Sequence, residues 1–163
     1  MEYTACSFTG HRQIKNGHLP GVRKLLEKAC AYAYGVGVRT FYCGGAIGFD
    51  MLAAREVLRF KATHPDVRLV MLLPCIEQEK RWSLRQRDDY EFILRFADEI
   101  VYVSDSYTSG CMKKRNEELV GRSDMLIAYV SRMRSGAGQT LNLANKAGIS
   151  VYNLYPTLAK GEI

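Results

Sequence analysis

Six short apolar runs alternate along the chain with stretches of helical periodicity, and this alternation limits the fold more than any other feature. The runs are residues 3–8, 38–43, 67–73, 99–104, 124–130 and 149–154. Several are rich in β-branched or aromatic residues, and residues 67–73 are almost wholly aliphatic, which suits strands buried on both faces. Between the first two, Val22, Leu25, Leu26, Ala29, Cys30 and Ala33 recur at helix spacing, and Gly35 and Gly37 end that pattern. A second helix opens at Asp50 and breaks at His64-Pro65-Asp66. A polar segment, 77–89, leads into a helix carrying Tyr90, Ile93, Leu94 and Ala97. Two further helices are predicted over 112–120 and 139–146, the last capped by Gly148. Strands separated by helices imply a parallel sheet covered on both faces. The predicted fold is therefore α/β: a single Rossmann-like, doubly wound domain over residues 1–163, with a mostly parallel sheet of six strands.

Size and composition agree with one domain. At 163 residues the chain is too short for a (β/α)8 barrel, and no linker or repeat divides it. With 47% hydrophobic and 25% charged residues it is a globular composition. No run reaches the length of a membrane-spanning helix, and the first residues lack the pattern of a secretory signal, so a soluble cytoplasmic protein is expected. The five cysteines form no C-x-x-C pair and no zinc-like spacing with the three histidines. They are read as reduced, buried thiols, and no metal site is expected. The net charge of +6 suits an anionic partner. Its longest basic run, Lys113-Lys114-Arg115, reads as a solvated helix face, so nucleic acid is allowed rather than indicated.

In a doubly wound sheet the ligand sits beyond the carboxyl ends of the strands. Those ends carry Thr9-Gly10-His11-Arg12, then Gly44-Gly45-Ala46-Ile47-Gly48-Phe49-Asp50, then Ser104–Gly110 with Asn116 beyond, and finally Ser135-Gly136-Ala137-Gly138-Gln139-Thr140. Glycines ahead of a helix let backbone amides approach a phosphate, and the helix dipole favours its charge. The ligand-binding candidates are Gly10, His11, Arg12, Gly44, Gly45, Gly48, Asp50, Asn116, Gly136, Gly138, Gln139 and Thr140. Arg12 is suited to a bidentate phosphate grip. Asp50 either caps its helix or binds a ribose hydroxyl, and Thr140 either meets a phosphate or is an ordinary first-turn threonine. His11, Asp50 and Glu117 are the weak candidates for acid–base catalysis. Trp82, Arg85 and Tyr90 read as packing at the sheet edge, with base stacking as the alternative, and Ser123-Asp124 as a local turn. The pattern is not G-x-G-x-x-G, has no acidic residue after the third strand, and lacks a Walker A lysine, which disfavours a dehydrogenase or a P-loop enzyme.

Taken in order, Ser7–Arg12, Tyr42–Asp50, Asn116 with Ser123-Asp124, and Ser135–Thr140 resemble the SLOG superfamily, and within it the YpsA-like group. The second segment is also similar to the G-x-A-x-G-[IF]-D motif of the DNA-processing protein DprA. The last loop resembles the phosphate loop of the Lonely Guy phosphoribohydrolases, but Leu143, with Asn142 beside it, stands where that motif's glutamate would fall. Neither is a general acid or base. The resemblance implies a Rossmann-like domain binding a nucleotide or nucleotide-derived ligand. The two anion-suited loops, Arg12 and the lack of an evident catalytic pair point to a sensor or regulatory domain with its ligand at the strand-end rim, and the sequence requires no cofactor. The alternatives are a nucleotide hydrolase acting at an N-glycosidic or phosphate bond, and DprA-like DNA association or cell-division regulation. A homodimer is compatible with any of these.

Overall fold

The computed structural model describes residues 3–161. It contains six strands: β1 (Ala5–Gly10), β2 (Thr40–Cys43), β3 (Arg68–Cys75), β4 (Glu99–Ser104), β5 (Met125–Tyr129) and β6 (Ser150–Asn153). All pair in parallel, in the order β4-β3-β2-β1-β5-β6. Six helices connect or follow them: α1 (Leu19–Gly35), α2 (Phe49–Thr63), α3 (Leu84–Phe96), α4 (Cys111–Gly121), α5 (Gly136–Ala147) and α6 (Tyr155–Ala159).

Alternation along the strands divides the interior into two layers. Leu69, Met71 and Leu73 face one way and join Phe8, Phe41 and Ile127 beneath α1, α2 and α3 in the larger core. Val70 and Leu72 face the other way and meet Leu119 of α4. Leu126 and Ala128 do the same beneath Val120, Leu141 and Ala144 of α4 and α5. Both faces are covered, so the doubly wound sheet is the observed fold. Among the described residues no helix is long and apolar enough to cross a membrane. All five cysteines are free and buried.

The differences from the sequence expectation have local causes. β1 starts and ends two residues later than predicted, because its centre-of-sheet position pairs Gly10 with Tyr129 of β5. α3 begins inside the polar segment, where Ser83 and Gln86 form a reciprocal capping box. α5 begins at Gly136 rather than Gln139, because Ser135 caps it by accepting from Gly138 N at 2.9 Å. The short α6 has no counterpart in the prediction. Trp82 packs edge-on against the buried Tyr90 ring, as the packing reading has it.

Asp124 corrects the local-turn reading. Its Oδ2 accepts from Thr4 N at 2.8 Å, Thr4 Oγ1 at 2.9 Å and Ala5 N at 3.1 Å, tying the start of β5 to the start of β1. These donors, led by the Thr4 amide, hold its pKa below the ordinary carboxylate value. Asp124→Ala is expected to cost about 1–3 kcal/mol in urea unfolding at pH 7. A carboxylate whose folded pKa is depressed stabilises above its unfolded pKa. The gap between variant and wild type therefore closes as the pH falls below the ordinary value of 3.8.

Candidate functional site

The strand order reverses at β1, which has β2 on one side and β5 on the other. The chain leaves β1 and β2 toward the α1–α2–α3 layer and β5 toward the α4–α5 layer, so a crevice opens at the carboxyl ends of β1 and β5. It forms an open pocket of about 540 Å³. The wall on the β1 side is Thr9 to Gln13; α4 supplies Met112, Arg115 and Asn116; the β5 side supplies Arg132 and Ser135 to Ala137.

Arg115 is the main departure from the sequence reading. The run Lys113-Lys114-Arg115 was expected to be a solvated face, but Arg115 is only 6% exposed. It shares the α4 stripe of Cys111 and Leu119, four residues either side and both buried, which turns it inward. Its guanidinium donates to the Gly44 carbonyl, to Asn116 Oδ1 at 2.9 Å and, weakly, toward the Met112 sulfur at 3.9 Å. No carboxylate lies within 4 Å of it among the described residues. Gly44 is small because Arg115 lies on it: a Cβ there would meet Nη1 at 2.8 Å.

Asp50 shares the pocket and is 5% exposed. Its Oδ2 accepts from Ala46 N at 3.1 Å, while Oδ1 is buried without a partner. Burial raises its pKa to about 6, against the pull of Arg115, the Ala46 amide and Arg12. The same burial lowers the Arg115 pKa, although Asp50 opposes it. Asp50 does not cap its helix: the N-cap of α2 is Gly48 and no side chain caps that end. One carboxylate oxygen ties the loop at Ala46, and the other is enclosed beside the pocket without a partner. Two amides of the β2–α2 loop are engaged internally. The Ala46 amide is taken by Asp50, and the Phe49 amide donates to the His11 carbonyl at 3.2 Å.

His11 is held as an acceptor. Its Nε2 receives Ser131 N at 2.8 Å and Arg132 N at 3.3 Å, with Ser131 Oγ at 3.2 Å. That geometry requires an unprotonated Nε2, and burial, helped by the Arg132 charge, lowers its pKa. It is a neutral clamp between the β1 and β5 loops. Arg12 follows, exposed, with its backbone pressed on Gly48. Gly48 has φ 84°, and a Cβ there would overlap the Arg12 carbonyl, so glycine is required on both counts. The loop beyond is pinned by Tyr129, whose hydroxyl accepts from Lys15 N at 3.1 Å and bonds His18 Nδ1 at 2.8 Å.

At the N-terminus of α5 the capped amide is Gly138 N, and Gln139 N donates to the Ser135 carbonyl. The amides of Gly136 and Ala137 have no protein acceptor among the described residues, and both residues line the pocket. Thr140 is fully buried and donates to Gly136 O at 3.0 Å, the ordinary first-turn role. Gly138 is buried against the Met133 backbone. Gln139 turns away, beside Lys113 and Asn142.

The crevice thus brings together Gly10, His11, Arg12, Asp50, Asn116 and Gly136. Gly44, Gly45 and Gly138 lie behind it as close-packed backing, and Gly48 lies on the far side of Arg12. Glu117 is exposed on α4 and is not among the lining residues. Sequence reasoning missed Arg115, Arg132, Ser135 and Met112 as lining residues; the buried stripe Cys111-Arg115-Leu119 was a legible signal for the first.

The described residues contain no cluster of three metal-ligating side chains. Three arginines against one carboxylate, with open helix-terminal amides, define a Rossmann-like domain with a strand-end crevice suited to an anion. A profile of the YspA SLOG family matches residues 7–148, and the chain belongs to that family. It is similar to the SPbeta prophage-derived protein YoqJ of Bacillus subtilis, 29% identical over 158 residues that cover 88% of each chain. A UPF0398 protein of Bacillus cereus is 30% identical over 149 residues, 87% of this chain and 80% of that protein. DNA processing protein A of Helicobacter pylori, whose structure describes a single-stranded DNA binding mode, has a TM-score of 0.65 at 18% identity. That match covers 97% of this chain and 73% of the other, and shows a shared fold.

Asp50→Asn tests the cost of the buried charge. Because the folded pKa is raised from 3.8 to about 6, ionisation destabilises the native state, and the penalty is complete above pH 6. The variant is expected to exceed wild type in stability at pH 7.5 by about 2–3 kcal/mol, from the 1.36 kcal/mol per pKa unit. That gain should shrink toward pH 4 in urea titrations.

Proposed function

We propose that this chain binds a nucleotide or nucleotide-derived anion in the crevice between β1 and β5 and acts as a sensor or regulatory domain. The observation that carries this reading is Arg115, a buried cation with only neutral hydrogen-bond partners. A buried charge without a close counter-charge is costly to keep, and a phosphate in the crevice would neutralise it. The free amides of Gly136 and Ala137 and the exposed Arg12 and Arg132 face the same space. The unpaired Asp50 Oδ1 is an acceptor suited to a ribose hydroxyl. Volume is compatible as well, since about 540 Å³ falls in the usual range for small-molecule sites.

A thermal-shift screen of nucleoside mono- and diphosphates, dinucleotides, ADP-ribose and cyclic nucleotides tests the proposal. At a hundredfold excess over Kd a true ligand is expected to raise Tm by roughly 5 °C or more. Arg12→Ala should abolish that shift while leaving the unliganded Tm near wild type, because Arg12 is exposed. No shift with any member of the screen would remove the reading.

A second reading is favoured by Asp50 alone. A buried carboxylate with a pKa of about 6 is poised to accept a proton near neutral pH. Hydrolysis at an N-glycosidic or phosphate bond would then use Asp50 to activate water. Incubation with nucleoside monophosphates should release free base or inorganic phosphate, and Asp50→Asn should stop the release. Unchanged nucleotide by chromatography leaves binding without turnover.

A further inference from the structure

Beside the crevice lies a second hollow, of about 640 Å³, between α1, α2 and α3. Arg12 lines both hollows, and the β2–α2 loop separates them: Ala46 lines the crevice, while the next residue, Ile47, lines its neighbour. The lining of the second hollow mixes the apolar side chains of Ile14, Leu19, Ile47, Met51 and Leu52 with polar and charged ones. Five arginines stand around it. Two are already paired: Arg55 with Asp89 at 2.9 Å and Arg59 with Glu56 at 3.6 Å. Arg12, Arg23 and Arg85 have no carboxylate within 4 Å among the described residues.

Apolar side chains set among unpaired arginines are the chemistry that takes a base against the former and a phosphate on the latter. Arg12, common to both hollows, is where a group bridging them would lie. We infer that the ligand is a dinucleotide, with one nucleotide in the crevice, its bridging phosphate on Arg12, and the second nucleoside in the α1–α2–α3 hollow between Arg23 and Arg85. This inference rests on the binding reading above and extends it to the class of ligand. Both a pyrophosphate bridge and a phosphodiester bridge fit the description.

Titration calorimetry of the whole protein separates the outcomes. The probes are the four 5′-nucleoside monophosphates, the 5′-phosphorylated dinucleotides pApA, pGpG, pCpC and pUpU, NAD, and a single-stranded decamer of the best base. The best dinucleotide should bind at least about tenfold more tightly than its mononucleotide. The exposed pair Arg23→Ala/Arg85→Ala should bring the ratio of the two affinities close to one. The NAD and pNpN arms identify the bridge. Equal mono- and dinucleotide affinities in wild type, or a ratio untouched by the double variant, would overturn the inference while the binding reading stands. A decamer tenfold tighter than the dinucleotide, with steep salt dependence, would replace it by a nucleic-acid strand. No binding by any probe would remove both.

Discussion

A parallel sheet that must be covered on both faces forces its chain to change direction, and the site follows from where that change occurs. Three crossovers build outward from β1 to β4 over one layer of helices. The fourth carries the chain back past β1 and fills the other face. β1 and β5 are neighbours in the sheet but send their next segments to opposite sides. Their carboxyl ends cannot close on each other, and a crevice is the geometric consequence. Asp124 and the His11 clamp fix the two strands at opposite ends, the first at their start and the second just past their finish.

Within the crevice, burial sets the electrostatics. Arg115 and Asp50 are both nearly enclosed, and burial works against the charge of each. They are close enough to pull on one another and too far apart to pair directly. A close ion pair would leave the site satisfied and indifferent to a ligand. The observed separation instead leaves a guanidinium bonded only to neutral groups and a carboxylate oxygen without a partner. That arrangement costs stability. A phosphorylated sugar carries both complements, an anion and a hydroxyl, on one small frame.

The layered architecture was legible because strand and helix periodicities are distinct and each strand end is marked by turn residues. The placement of Gly10, Arg12, Asp50 and Gly136 on one rim followed from the rule for parallel sheets. Arg115 was obscured by its neighbours, since a run of three basic residues suggests a solvated face. The phase of α4 contradicts that suggestion, and composition cannot show phase. Glycines in the loop after β2 suggest a source of amides, but the amides of Ala46 and Phe49 are engaged internally. Glycine in a loop reports close approach without saying what approaches; at Gly44 it is an arginine, and at Gly48 a carbonyl. Asp124 acts across 120 residues of sequence, beyond the reach of any local pattern.

Everything assigned to this domain depends on the guanidinium of Arg115 gaining an anionic partner. A crystal structure of the protein grown with the nucleotide that binds it most tightly reads this directly. The expected density puts a phosphate within hydrogen-bonding distance of Arg115 and of the Gly136 or Ala137 amide, with a ribose hydroxyl on Asp50. Density for the nucleotide elsewhere on the surface, with Arg115 still bonded only to Gly44 and Asn116, would contradict the account.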